Sequence, residues 1–217
     1  MYLLNRHPLR GGKVNDENDS EADEALSMGK CALFIEHPYD KSKRPDLKQV
    51  DPDCLPQADV QKLPYGLCGP HLKALFDQAF VDGLHEPRMR PSAQQWEDGL
   101  LATLDMMLPC ANDACPSKWF VFDNKMRPRC PFCGTPYSGL LPVLDFYYSP
   151  RDDGEYSAER KSLMIYDRQN LYLWNINRLV VPNERLKPGE DEPVADFWLH
   201  GGKWYLINRG MSDLCEI

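Results

Sequence analysis

CANDAC (110–115) and CPFC (130–133) hold four of the eight cysteines within 24 residues, as a C-x4-C pair and a C-x2-C pair separated by fourteen residues. Two short-spaced pairs joined by a strand-forming stretch match the demand of a tetrahedral four-cysteine zinc site, since each pair closes a tight turn that aims two sulfurs at one point. The connecting KWFVFD (118–123) is aromatic and β-branched and reads as a strand. Gly134 supplies the positive φ that such knuckle turns use, and Pro131 stiffens the second knuckle. The expected cofactor is Zn²⁺, held by Cys110, Cys115, Cys130 and Cys133. A closed shell of four thiolates keeps no position for substrate, so the site is structural and no catalytic residue is assigned. Two disulfides are the competing reading. They need an oxidising compartment, and the first residues do not read as a secretory signal, so the expected location is the cytoplasm.

Around this stretch the chain of 217 residues is 42% hydrophobic and 27% charged, enough for a sizeable core. No apolar run approaches a membrane span. A formal charge of −8 argues against general nucleic-acid binding, where phosphate contacts supply most of the affinity. Cys31, Cys54, Cys68 and Cys215 lack metal-type spacing and are read as free thiols. His7, His37, His71, His85 and His200 are scattered and are read as packed or exposed side chains rather than ligands. Met1 to Asn5 starts as an apolar helical turn, which reads as a chain cut from something longer. NDENDSEADE (15–24) reads as a solvated acidic stretch, 22–34 carries helical spacing, and 39–65 reads as an irregular loop.

Two helices are expected before the cysteines. Leu72, Leu75, Phe76, Ala79 and Phe80 form one apolar face, ended by Gly83. Ser92 caps the next helix with Gln95 in the capping-box position; it is expected to run to about Met107, with Trp96, Leu100, Thr103 and Leu104 inward. Beyond the cysteines, LLPVLDFYY (140–148), KSLMIYD, NLYLWNI, RLVVP, VADFWLH and KWYLINRG read as short strands of a small β-sandwich or barrel. His200-Gly201-Gly202-Lys203 reads as a hairpin turn. Leu173, Ile176, Val180, Phe197, Tyr205 and Ile207 are the expected core, as are Trp119, Trp174, Trp198 and Trp204. Arg178, Arg185, Lys203 and Arg209 are expected to face outward. The fold class is α+β and multidomain: a helical part (1–108), a zinc ribbon (109–140) and a β-rich domain (141–217).

The stretches RHPLRGGK, MGKCALFIEHPYD, LPYGLCGPHL and AFVDGLHEPRMRPSAQQWE, followed by the cysteine ribbon, resemble one bacterial family. These are serine/threonine kinases encoded beside a von Willebrand factor A-like protein and a metal-dependent serine/threonine phosphatase in tellurite-resistance clusters. The resemblance covers about residues 1–140 and implies the end of a kinase C-terminal lobe, with those two proteins as partners. KWYLIN is similar to a forkhead-associated hairpin, which implies a phosphothreonine site built from the basic residues named above. No Gly-rich phosphate loop, V-A-I-K lysine, H-R-D loop or D-F-G is present, so phosphoryl transfer is not expected of these residues. The family's arginine matching Arg90 pairs with a glutamate of an A-P-E segment absent here; Arg90 is therefore expected to find another acid or to face solvent. The resemblance leaves two functions: a regulatory docking region, or a kinase whose catalytic motifs lie on another part of a longer chain.

Overall fold

The computed structural model describes residues 7–9, 19–42, 65–123, 127–149 and 154–211. Cys54, Cys215 and most of the N-terminal stretch that carries the kinase resemblance lie outside them. The architecture is α+β. The chain divides into two compact units, Met1–Tyr137 and Ser138–Ile217. The expected helical part and nearly all of the expected ribbon fall in the first.

In the first unit, α1 (Ser20–Ser27) is capped by Asp19, whose carboxylate accepts the N–H groups of Glu21 and Ala22. A 3₁₀ turn (Tyr65–Cys68) leads into α2 (Gly69–Asp77), which continues as one π turn (Gln78–Asp82) and stops at Gly83. Leu72, Leu75 and Phe76 of α2 bury with Phe34, Ile35, Tyr65 and Cys68, and Phe80 packs against them. Phe80 stacks on Phe34 with ring centres 5.4 Å apart. α3 (Ala93–Leu104) starts with the expected capping box, Ser92 and Gln95 each accepting the other's backbone N–H.

α3 ends three residues before Met107, where strand β1 (Met107–Pro109) begins. Thr103 is buried and Trp96 packs on the core, but Leu100 and Leu104 are 49% and 61% exposed, not inward as their spacing suggested. Among the described residues the main helical neighbour of α3 is α2, so the buried face of α3 is a narrow stripe.

β1 pairs antiparallel with β2 (Trp119–Val121), with Leu108 opposite Phe120, both buried. Trp119 is half-exposed rather than core. The hairpin is attached to the helices at Gly69, whose φ of +75° admits glycine readily; a Cβ there would lie 2.7 Å from Val121 Cγ1.

The second unit is strand-rich. β3 (Val143–Tyr148) pairs antiparallel with β4 (Ser157–Met164) through a register shift between Asp145 and Tyr147. A second sheet has the order β5-β6-β7, with β5 at Asn170–Tyr172, β6 at Pro193–His200 and β7 at Lys203–Asn208. NLYLWNI is split: after β5 the chain makes a short helix, α4 (Leu173–Ile176), where Asn175 accepts the Tyr172 N–H. RLVVP forms turns rather than a strand.

The core of this unit is Leu163, Ile165, Leu171, Ala195 and Phe197, with Leu144, Phe146, Val194, Trp204 and Met211 packed against it. Phe197 is where the sequence placed it. Ile176, Tyr205 and Ile207 are exposed, and Leu173 and Val180 only half-buried. Because Trp204 takes the inward face, alternation sends Tyr205 and Ile207 to the other side. Gly201 and Gly202 have φ of +58° and +75° and close the β6–β7 hairpin in two residues, as expected.

Candidate metal centre

Each cysteine pair sits in a turn built by its own neighbours. The first pair lies in the loop 110–118 that closes β1 onto β2. Cys110 N–H donates to Lys118 O at 2.6 Å, which extends the hairpin by one rung. Asn112 organises the rest. Its side chain accepts the Ala114 N–H at 2.9 Å, and its carbonyl accepts the Cys115 N–H at 2.9 Å. Lys118 adopts φ of +58° to rejoin β2, with its ammonium on the Asp113 carbonyl.

The second pair lies in a smaller hairpin-like turn in which Arg129 bridges Pro136. Tyr137 N–H donates to Pro128 O and Cys130 N–H to Thr135 O, each at 2.9 Å. Gly134, at φ +74°, turns back so that its N–H reaches Cys130 O at 2.8 Å. Its own carbonyl accepts from the Arg129 guanidinium at 2.8 Å. The glycine is therefore required by a specific backbone reversal.

These turns bring all four sulfurs within 4.8 Å of one another. The Cys110–Cys133 separation is 3.5 Å and the Cys115–Cys130 separation 3.7 Å. Four sulfurs at about 2.3 Å from a central zinc form a tetrahedron with edges of about 3.8 Å, and these two separations are close to that edge, so the cluster is compatible with the ion. Disulfides do not fit: bonded sulfurs lie about 2.05 Å apart, and all four of these cysteines are free. Cys115 and Cys130 are buried, Cys110 half-buried and Cys133 exposed. The cluster thus has a dry side and a solvent rim.

The protein environment grades the thiols. The Thr135 hydroxyl, 3.2 Å from Cys133 Sγ, and the Thr135 backbone N–H pull that thiol down to about 6. Burial pushes Cys130 up. At Cys110 the Asn112 N–H favours the thiolate but is outweighed by desolvation and the neighbouring sulfurs, which push it up to about 12. Four thiolates this close repel one another; a divalent cation held by Cys110, Cys115, Cys130 and Cys133 would offset that repulsion and favour the thiolate forms. Among the described residues no histidine or carboxylate joins the cluster.

The other sequence-named residues have local roles. Cys68 is buried, donates its S–H to Tyr65 O at 2.9 Å and has its thiol pushed up to about 11 by burial, so it is inert. His85 Nε2 lies 2.8 Å from Ala32 O and ties two distant loops together. Among the described residues Arg90 pairs with no acid; its guanidinium donates to Gly83 O at 2.7 Å and Leu84 O at 3.2 Å. It thereby covers carbonyls left at the end of the preceding helical segment. A Cβ on Gly83 would lie 2.6 Å from Arg90 Cγ, so the two positions are matched.

In the second unit, Arg209 makes a two-pronged pair with Asp196, one bond at 2.8 Å, and Trp198 Nε1 donates to the same carboxylate at 3.1 Å. Arg178 lies 3.4 Å from Glu159 and over the Tyr148 ring. Two of the four basic residues considered for phosphate are therefore occupied within the chain; Arg185 and Lys203 are exposed.

A cleft of about 350 Å³ lies beside the cysteine hairpins, lined by Leu67, Pro70, Lys73, Phe120, Phe122 and Arg129 among others. No helix among the described residues is long and apolar enough to cross a membrane. No protein-family profile, curated protein or solved structure matches the chain.

Proposed function

We propose that the chain is a zinc-stabilised docking region of a bacterial serine/threonine kinase signalling system, with no phosphoryl-transfer chemistry of its own. The observation that supports the non-catalytic part is the four-sulfur cluster, whose donors would all be taken up by one tetrahedral ion. Zinc there supplies a cross-link and no reactive water. The two hairpins it joins are too short to hold themselves, and β2 carries that cross-link onto the start of α2 through Gly69 and Val121.

The kinase context rests on the sequence resemblance. The turn, capping box and helix at 87–104 are compatible with it. Arg90, which the resemblance matches to an arginine paired with a glutamate in complete kinases, donates to backbone carbonyls here. For the second unit, occupation of Arg209 and Arg178 favours recognition of an unphosphorylated protein surface over a phosphothreonine site.

The zinc-loaded chain should capture the metal-dependent phosphatase or the von Willebrand factor A-like protein without prior phosphorylation. Calorimetry with ATP and magnesium should show no binding. Micromolar ATP–magnesium affinity, or failure to retain either protein in both phosphorylation states, would contradict the proposal.

A further inference from the structure

Strand β7 closes one side of the β5-β6-β7 sheet, and its register fixes which backbone groups face outward. Arg209 N–H donates to Val194 O at 2.9 Å, continuing the Asn208–Ala195 register with a hydrogen-bonded pair. On the other side of β6, Phe197 N–H donates to Gln169 O and Phe197 O accepts from Arg168 N–H, so Phe197 spends both groups toward β5. Antiparallel alternation then assigns Lys203, Tyr205 and Ile207 to β6. The N–H and C=O groups of Trp204, Leu206 and Asn208 point to the open edge. Among the described residues these outer groups have no backbone partner.

Edges of this kind are normally blunted by proline, bulges or central charges. β7 has no proline, its pairing with β6 runs through six rungs without a shift, and its single charge, Lys203, sits at the turn end. Tyr205, Leu206 and Ile207 are 47%, 40% and 39% exposed.

We propose that β7 pairs antiparallel with β7 of a second copy of this chain, about a two-fold axis through Leu206. The strand is self-complementary in that register. Leu206 meets Leu206, and Trp204 meets Asn208, so every outward residue faces another outward residue and all six of their backbone groups are used. Tyr205 comes opposite Ile207, a favourable aromatic–β-branched pair. The one like-charge juxtaposition, Lys203 opposite Arg209, is softened because Asp196 of the same chain already neutralises Arg209. The net charge of −8 opposes approach of two copies at long range, so association strengthens with salt. The pairing depends on β7 alone and not on the kinase resemblance.

The open geometry provides a selective probe. Leu206→Pro deletes an N–H that points away from β6, so it blocks the new pairing and leaves the β6–β7 ladder intact. Sedimentation velocity on the full zinc-loaded chain across a concentration series should show conversion to a species of twice the mass. Amide exchange at Trp204, Leu206 and Asn208 should slow as concentration rises. Leu206→Pro should remain monomeric with an unchanged far-ultraviolet spectrum. Tyr205→Lys combined with Ile207→Lys, which opposes like charges across the axis, should weaken association by at least about tenfold, and keeps the test valid if the proline variant misfolds. A wild-type chain that stays monomeric, or a dimer insensitive to the double-lysine variant, would overturn the proposal.

Discussion

The molecule contains two antiparallel hairpins that solve the same problem differently. β1–β2 has three rungs and a loop, 110–118, too long to close the hairpin by turn geometry. β6–β7 has six rungs and closes through two left-handed glycines. A short hairpin exposes nearly as much backbone as it pairs, and an isolated one is marginal in water. The first hairpin therefore calls for an external cross-link, which a metal held by the four sulfurs would supply. The second gains enough from cross-strand pairs and from Phe197 and Ala195 in the core to need none. Metal dependence should accordingly stop at the boundary between the two units.

The largest expected effect breaks the comparison on the metal side. Cys130→Ser removes one of the two buried sulfurs, and chelation removes the metal the four would hold. In small zinc modules metal binding supplies about 10 kcal/mol or more of folding free energy at neutral pH. The cysteine hairpins should lose their amide protection while β6–β7 retains its own; hydrogen exchange resolved by segment reads both. Equal loss in both hairpins would show that the second also depends on the metal.

Gly202→Val is the converse. A β-branched residue at φ +75° costs about 1–2 kcal/mol. The melting of residues 138–217 should fall with zinc content unchanged. Ser92→Ala is smaller again, about 1 kcal/mol for loss of the cap. It should loosen α3, seen by circular dichroism and chemical denaturation, without releasing zinc.

The smallest effect is expected with pH in the second unit. The Arg209 guanidinium, then the Trp198 N–H, hold the Asp196 carboxyl below the usual carboxylate range. A depressed folded-state value contributes stability above the unfolded value near about 3.9, lost as pH falls through the folded one. Thermal melts should therefore fall below pH 4 in wild type and show less of that fall in Asp196→Asn. Exposure of Arg209 to solvent keeps the effect modest.

What the sequence made readable was local chemistry. The convergence of the four cysteines, the Ser92–Gln95 capping box and the Gly201-Gly202 turn depend on spacings within a few residues, and the structure shows all three. What escaped depended on which neighbour takes a face. Leu100 and Leu104 have helical spacing yet lie on the side of α3 that stays largely exposed. Tyr205 and Ile207 are as apolar as Trp204, and only the position of the β3–β4 and β5–β6 residues decides that Trp204 turns inward. The sequence NLYLWNI carries strand propensity throughout, yet Asn175 captures the Tyr172 N–H and starts a helical turn instead. Arg90 shows the same limit: its partners are carbonyls, and no sequence pattern marks a carbonyl as available.

The central claim, that four sulfurs converge on one tetrahedral zinc, is tested most directly by zinc K-edge absorption on the full chain with metal quantified in parallel. The account predicts one zinc per chain and a first shell of four sulfurs at about 2.3 Å with no nitrogen or oxygen component. Substoichiometric zinc, or a shell containing light-atom ligands, would contradict it.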